Sequence, residues 1–216
     1  MQASGLFLTL RSGDAETSVL QDVSIGVHSG ELVVVAGSTP SGPSTLLSCL
    51  AGSQEPDAGT VWVGGARLSG QSEQLRARLR ARTIGVMPTS GNLFGHLTVA
   101  QNVQLAPIMI AGRRPPDTMD VLSRLGIAHR FYPYPAQLSP GERARAGLAV
   151  ALANDPAVLL ADDPTRDLDE ATEAALFDEL LEHARHGKAV LVAGHRAAVA
   201  APADRVLILD EGRLSE

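Results

Sequence analysis

The chain has 216 residues, of which 44% are hydrophobic and 19% are charged. This length and balance suit one large α/β domain with a packed core and exclude wholesale disorder. The net charge of −6 argues against a nucleic-acid-binding protein, and a single cysteine excludes an internal disulfide framework.

The first half of the chain begins with two predicted strands. The sequence "VLQDVSIGV" (19–27) alternates weakly, and "GELVVVAG" (30–37) has the continuous apolar character of a buried strand. A helix is predicted from about Pro43 to Ala51, and Gly52 is typical of the residue that follows a helix.

Two further elements follow before residue 83. The sequence "GTVWVGGARL" (59–68) predicts an edge hairpin with Trp62 on one face. The arginine-rich stretch 76–82 indicates a solvated helix face, and we expect Leu75 and Leu79 to turn inward from it.

The second half of the chain becomes helical and then alternates. Residues 117–126 predict a helix that ends at Gly126. A second helix starts at Ser139, with proline at its first position and Glu142 three residues after the cap, which is a capping box. The remaining predicted elements are an apolar strand at 157–165, an amphipathic helix at 169–187 with Phe177, Leu180, Leu181 and Ala184 inward, and strands at 189–195 and 205–214. Alternating strands and helices predict a mainly parallel sheet covered on both faces.

The loop after the second strand has the spacing of a phosphate-binding loop. Its sequence, "AGSTPSGPSTLL" (36–47), fits G-x-x-x-x-G-K-[ST] except that proline replaces lysine. The candidate phosphate-binding residues are Gly37, Ser38, Thr39, Pro40, Ser41, Gly42, Pro43, Ser44 and Thr45. Taken alone, the loop is equally compatible with a strand–helix turn that holds no phosphate.

The apolar strand at 157–165 ends in two acids, which suggests the second half of a nucleotide site. Ser44 and Asp162 have the residue types and the order of a pair that holds Mg²⁺. The alternative for the acid pair is a helix N-cap.

Four segments in order, "LSPGE", "LLADDPT", "DLD" and "VLVAGH", resemble the nucleotide-binding subunits of ABC transporters. That family carries an LSGGQ signature, a strand ending in DEPT, a D-loop and a switch histidine. The resemblance runs from about Phe7 to Leu214. Residues 84–112 look like the Q-loop and helical entry of the subgroup that serves lipoprotein release, macrolide efflux and cell division.

The resemblance implies an α/β fold, a P-loop NTPase (RecA-like) core with a mainly parallel sheet, an N-terminal antiparallel β region and a helical insertion. It implies a single domain over 1–216, with the core at 1–87 and 154–216 and a helical subdomain at 88–153. ATP and Mg²⁺ are the implied ligands. The implied catalytic residues are Asp163 and His195, the signature contacts are Ser139 and Gly141, and the Q-loop metal ligand is Thr89.

Several family positions carry other residues. The lysine of the P-loop is Pro43, its central glycine is Pro40, and the catalytic glutamate is Asp163. The Q-loop glutamine falls on Thr89, and the aromatic residue that stacks on adenine falls on Leu10.

The signature has also changed, because its first glycine is Pro140 and its glutamine is Glu142. We expect the carboxylate of Glu142 to bring negative charge near phosphate.

The two prolines of the loop remove binding groups. Proline has no N–H, so up to two donors are lost, and the ammonium group is lost as well. At about 1.5–3 kcal/mol for each charge-assisted hydrogen bond, the loss amounts to about 3–9 kcal/mol. Lys188 is the only lysine and lies at the end opposite the expected phosphate site. No arginine lies in the loop, so we expect no substitute cation.

Family members work as head-to-tail dimers in which each ATP lies between one subunit's P-loop and the other's signature. The leading prediction is therefore a transporter subunit with a degenerate site of its own. It would act with a competent second nucleotide-binding subunit and a membrane permease, at the cytoplasmic face of the membrane, and without nucleic acid.

Two alternatives stay open. The chain could be a non-catalytic interaction module, or an ATPase homodimer that is still active. No apolar run approaches the roughly 18 residues of a membrane span, and no signal-peptide pattern is present. Membrane contact is thus expected through the permease, near residues 88–110, a stretch whose apolar character core packing explains equally well.

Overall fold

The computed structural model describes residues 1–12, 15–37, 41–89, 91–108, 117–194 and 203–215. The strands within these ranges are β1 Gln2–Ser12, β2 Ala15–Gly26, β3 Leu32–Gly37, β4 Ala58–Val63, β5 Ala66–Arg67, β6 Ile84–Met87, β7 Val158–Asp162, β8 Ala189–Gly194, β9 Arg205–Asp210 and β10 Arg213–Ser215. The α-helices are α1 Ser41–Leu50, α2 Glu73–Thr83, α3 Val99–Ile108, α4 Thr118–Arg124, α5 Pro140–Leu152 and α6 Glu170–Arg185. Short 3₁₀ helices occupy Ala128–Arg130 and Pro135–Gln137.

The strands form two sheets. The first is antiparallel, with strand order β2-β1-β4-β5. The second has the order β10-β9-β3-β8-β7-β6, in which only the β10–β9 pair is antiparallel. The predicted antiparallel region and mainly parallel sheet are therefore both present, and the hairpin predicted at 59–68 is β4–β5, with β5 at the edge of the first sheet.

The central strands β3, β7 and β8 of the parallel sheet are buried on both faces, which explains why they are almost continuously apolar. In β3, Val33 and Val35 pack toward the antiparallel sheet and α1, whereas Leu32 and Val34 pack toward the helices on the other face. Successive side chains of a strand point to opposite faces, so a strand with two covered faces needs apolar residues at every position.

The arginine-rich helix α2 differs in part from its prediction. It has no buried residue, as a solvated helix should. Leu79 packs against the core, but Leu75 is 41% exposed. The inward position predicted for Leu75 is thus wrong. Arg76 and Arg80 instead tie the helix down through an ion pair with Glu55 and bonds to the carbonyls of residues 51 and 52.

Most of the remaining helices lie between β6 and β7. Helices α3, α4 and α5 pack on one another there, around a core that includes Val103, Leu122 and Leu148. Within the described ranges, none of the helices combines the length and apolar character that crossing a membrane requires.

Candidate functional site

The candidate site forms where three neighbouring parallel strands end. β3 ends at Gly37, β8 at Gly194 and β7 at Asp162, and these strands lie side by side. Helix α1 begins at residue 41, just beyond β3. Ligands of open α/β sheets bind at the carboxyl ends of the strands, so the fold brings the P-loop segment and the strand-terminal acids to one edge.

Asp162 is the centre of this edge. Its Oδ1 accepts a hydrogen bond from Ser44 Oγ at 2.7 Å, and its Oδ2 accepts one from Thr89 Oγ1 at 2.7 Å. The three residues proposed from sequence as metal ligands are thus neighbours in space. Carboxylate and hydroxyl oxygens suit Mg²⁺, which normally keeps few protein ligands and several from water and phosphate.

In the described parts of the chain, no group of three or more His, Cys, Asp or Glu side chains is arranged to hold a metal ion. Mg²⁺ would therefore depend on Ser44 and Thr89 as well as on Asp162.

Pro43 closes over the start of the loop. It is the third residue of α1 and is buried. A Cβ atom placed on Gly37 would lie 2.6 Å from Pro43 Cγ and 2.7 Å from Pro43 Cδ. The pyrrolidine ring therefore packs directly on Gly37, and only glycine fits beneath it. An apolar ring occupies this position where the loop motif calls for a lysine.

Several predicted site residues lie outside the part of the chain that the structure describes. Ser38, Thr39, Pro40 and His195 lie outside the described residues, and so does the side chain of Ser41. Gly42 is buried and Thr45 is half-buried in the first turns of α1. The roles of these residues remain predictions.

Asp163, the candidate base, has a left-handed backbone with φ of 48°. Its N–H donates to the carbonyl of Ala193 at 2.7 Å, which joins the end of β7 to β8. Its Oδ2 accepts a hydrogen bond from Arg166 Nε at 2.8 Å. The candidate base is therefore ion-paired to an arginine three residues further along the chain.

Arg166 was missed in the sequence analysis, which looked for a substitute cation only within the P-loop. The available signal was its place immediately after "DDPT", three residues from Asp163. A spacing of three residues brings side chains together where the chain turns back, and here the N–H of Arg166 donates to the carbonyl of Asp163 at 3.1 Å.

The signature segment is a well-formed helix start. Ser139 is the N-cap of α5, and its Oγ accepts from the N–H of Glu142 at 3.3 Å. Glu142 Oε2 accepts from the N–H of Ser139 at 2.9 Å, which completes the predicted capping box.

The carboxylate of Glu142 is already compensated. Its Oε1 accepts from Arg130 Nε at 2.7 Å and lies 3.4 Å from His129 Nε2. The hydrogen bond from the Ser139 N–H, followed by the one from Arg130, lowers the pKa of Glu142 to about 2. The carboxylate that we expect near phosphate is therefore turned toward its own helix end and paired with a guanidinium, and its effect on a bound phosphate stays a prediction.

Gly141 lies against the first turn of α6. A Cβ atom at Gly141 would lie 2.5 Å from Thr172 Cγ2. Thr172 is in turn held by Asp169, the N-cap of α6, which accepts from the N–H of Thr172 at 2.9 Å and from its hydroxyl at 3.0 Å. The starts of α5 and α6 thus touch, and glycine is needed at 141 for this close approach.

Two further positions agree with their expected places. Leu10, at the position of the adenine-stacking aromatic, is exposed on β1 and offers no aromatic face. Lys188 precedes β8 and pairs with Asp155 at 2.7 Å, at the opposite end of the strands from the candidate site.

In this parallel sheet, the central strand β3 leads through a loop of P-loop spacing into α1. One strand further along, β7 ends in Asp162, and this arrangement defines a P-loop NTPase. Comparison with family models then matches residues 20–166 to the ABC transporter family. The chain belongs to that family. Membership implies ATP and Mg²⁺ as ligands.

Curated relatives agree. The chain is 37% identical over 219 aligned residues to the lipoprotein-releasing system ATP-binding protein LolD of Gluconobacter oxydans, covering 99% of this chain and 94% of that protein. It is 38% identical over 208 residues to the LolD of Pseudomonas fluorescens, covering 94% and 91%. The resemblance to the subgroup that serves lipoprotein release is confirmed by these relatives.

Solved structures show the same fold. The dimeric structure of MJ0796, a bacterial ABC transporter cassette, superposes with a TM-score of 0.90 at 26% identity and covers 100% of this chain and 96% of that one. A dimeric post-hydrolysis state of the same cassette, bound to ADP and Pi, gives the same TM-score.

Proposed function

We propose that the chain is the ATP-binding-cassette subunit of an ABC transporter, that its own nucleotide site is degenerate, and that it binds ATP weakly or not at all. It acts with a competent second nucleotide-binding subunit and with a membrane permease, at the cytoplasmic face of the membrane. The observation that carries the proposal is the pyrrolidine ring of Pro43 packed on Gly37 at the start of α1.

The physical reason lies in how such loops bind phosphate. Main-chain N–H groups, a helix N-terminus and a lysine ammonium group surround the phosphates. Pro43 supplies neither the N–H nor the ammonium group, and Pro40 lacks an N–H as well. At about 1.5–3 kcal/mol for each lost charge-assisted bond, a micromolar affinity falls to the millimolar range or below.

The metal-binding side is better preserved. Ser44 and Thr89 each donate a hydrogen bond to Asp162, and the three side chains supply the oxygens that Mg²⁺ prefers. In a loaded site, these three residues would hold Mg²⁺, which would supply positive charge against the nucleotide phosphates. The chain itself would then position the metal well but hold the phosphates poorly.

The signature side supports an unequal dimer. Ser139 caps α5, Gly141 lies against Thr172, and the charge of Glu142 is compensated by Arg130. A second subunit with an intact P-loop would meet an ordered signature on this chain. We therefore propose that residues 139–142 are the part of this chain that contributes to nucleotide binding in the dimer.

The permease contact is proposed near residues 88–110, at the start of the helical subdomain. Asn102 is buried and holds the loop that precedes α3: its Nδ2 donates to the carbonyls of Phe94, Leu97 and Thr98, and its Oδ1 accepts from the N–H of Phe94. Phe94 is 52% exposed on this loop. A fixed loop that presents an aromatic side chain suits an apolar permease helix.

The test is nucleotide binding by the purified full chain, measured by calorimetry with ATP in the presence and absence of Mg²⁺. The LolD protein of Gluconobacter oxydans, measured in parallel, is the positive control. We expect a dissociation constant in the millimolar range or weaker for this chain. Micromolar binding would contradict the proposal.

Co-purification separates the remaining alternatives. Recovery of the chain with a second subunit that carries an intact P-loop supports the unequal dimer. A chain that binds no nucleotide and recovers no such subunit is an interaction module. Steady hydrolysis of ATP by the isolated chain identifies an active homodimer.

A further inference from the structure

Arg166 is the basic side chain nearest in sequence to the strand-terminal acids. It follows β7 by four residues, and its Nε donates to Asp163 Oδ2 at 2.8 Å. Asp163 follows Asp162, whose carboxylate bonds Ser44 in the first turns of α1. The guanidinium therefore stands at the same edge of the sheet as the P-loop helix.

The charges around Arg166 indicate why a cation matters at this position. Three carboxylates, those of Asp162, Asp163 and Asp167, act on Arg166. The hydrogen bond to Asp163, and then the negative charges of Asp163, Asp167 and Asp162, raise the pKa of Arg166 above its ordinary value. Because position 43 is proline, this edge of the sheet would present mainly negative charge to a polyphosphate if Arg166 were absent. Repulsion between like charges would then make the free energy of polyphosphate binding less favourable.

Much of the guanidinium is available for binding. The bond to Asp163 uses Nε, so four of the five N–H donors of Arg166 take no part in it. The side chain is 51% exposed, whereas that of Asp163 is 12% exposed. A planar guanidinium suits phosphate oxygens because two parallel N–H groups can bind them together. Asp163 thus anchors one side of the guanidinium while the other side faces solvent.

We propose that Arg166 is the phosphate-binding cation of this chain's nucleotide site and supplies part of the charge that position 43 lacks. The inference rests on the proposed function, because it assumes that the ligand is a nucleotide polyphosphate at the end of β3 and β7. Residual nucleotide binding by this chain then depends on Arg166, with Asp163 as the residue that positions it.

The experiment compares MgATP binding by the full chain and its variants, using calorimetry and ³¹P NMR at millimolar nucleotide. The variants are Arg166→Ala, Arg166→Gln, which keeps a hydrogen-bond donor without the charge, and Arg166→Lys, which keeps the charge. The matched control is Arg185→Ala. Arg185 is exposed and pairs with a carboxylate three residues away, Glu182, but lies at the last turn of α6.

We expect Arg166→Ala and Arg166→Gln to weaken binding by about tenfold or more, the effect of one charge-assisted hydrogen bond. Arg166→Lys should recover part of the loss, and Arg185→Ala should bind like the native chain. Increasing salt should weaken the native chain more than Arg166→Gln, because the native contact is ionic. Thermal unfolding without nucleotide checks that each variant is folded. If Arg166→Ala does not fold, the comparison of Arg166→Lys with Arg166→Gln tests the role of the charge.

The outcomes also distinguish this inference from the proposed function. Undetectable binding by the native chain overturns the role of Arg166 and leaves the degenerate site standing. Weak binding that Arg166→Ala and Arg166→Gln leave unchanged overturns it as well. Tight binding that these variants abolish supports Arg166 and refutes weak binding. Tight binding that they leave intact refutes both.

Discussion

The P-loop region and the signature region each carry a proline near the start of a helix, with opposite consequences. Pro140 is the first residue of α5, where the cap made by Ser139 and Glu142 is complete. Pro43 is the third residue of α1, and its ring covers Gly37. The first turn of a helix tolerates proline because its N–H groups have no intrahelical partners. The same N–H groups are the ones that bind phosphate.

The comparison shows that a substitution can preserve a fold and remove its chemistry at the same position. In the signature, the helix end is occupied by the chain's own Glu142, whose charge Arg130 balances. In the P-loop, Pro43 supplies neither an N–H nor an ammonium group, and Arg166, held by Asp163, follows β7 by four residues. The P-loop and the signature of this chain have therefore changed to different degrees.

The largest effect is expected from a variant in which the P-loop residues are restored. The double variant Pro40→Gly, Pro43→Lys should bind MgATP about 100-fold more tightly or better, because it regains two N–H donors and an ammonium group. Calorimetry measures the change. The matched control, Pro140→Gly at the other helix, should leave nucleotide binding by the isolated chain unchanged. A restored chain that still binds like the native one would show that the loop has diverged beyond these two positions.

A second variant tests whether Asp163, the candidate base, limits the rate of ATP hydrolysis. In the P-loop-restored chain, Asp163→Glu should raise the rate of ATP hydrolysis by up to about 100-fold, since displacing a reacting group by about 1 Å can cost that much. Single-turnover kinetics separates this effect from binding. Asp167→Glu lengthens a neighbouring carboxylate on the same loop and should leave the rate unchanged. Equal rates for Asp163→Glu and the parent would remove Asp163 from the catalytic role.

A third variant tests whether the signature half is independent of the P-loop half. Ser139→Ala removes the N-cap of α5 and should lower the free energy of unfolding by about 1 kcal/mol, measured with urea. Ser123→Ala, on the exposed side of α4, should stay within about 0.5 kcal/mol of the native chain. If Ser139→Ala also weakened nucleotide binding by the isolated chain, the two halves would not be separate.

The smallest expected effect concerns Glu142 and depends on pH. Its pKa is lowered from 4.5 to about 2, so the ionised form is the one that the folded chain favours. Its stabilisation is complete above about pH 5 and is lost as the pH falls toward about 2. Glu142→Gln should therefore be less stable than the native chain at pH 7, by under about 1 kcal/mol. This difference should shrink in urea unfolding at pH 4 and pH 3.

Asp178→Asn is the matched control for this pH series, because Asp178 is exposed on α6. It should be as stable as the native chain at each pH. A stability difference for Glu142→Gln that stayed constant from pH 7 to pH 3 would contradict the ionic role of Glu142.

Much of the fold could be predicted because its signals are local. Continuous apolar strands such as 32–37 and the capping box at Ser139 are visible in short windows, and the structure contains both. Leu75 was predicted wrongly because helical spacing does not show how closely a helix approaches the core. Arg76 and Arg80 hold α2 by polar contacts instead, and these depend on Glu55 and on carbonyls more than 20 residues away.

The sequence by itself determined which groups the P-loop lacks, because a missing N–H and a missing ammonium group are covalent properties of Pro43 in any conformation. Which polar side chains come into contact depends instead on the tertiary structure. Ser44 and Thr89 reach Asp162 across 118 and 73 residues of chain because β3, β8 and β7 lie side by side. That order of strands depends on the burial of two apolar faces along the whole sheet, which no local stretch of sequence contains.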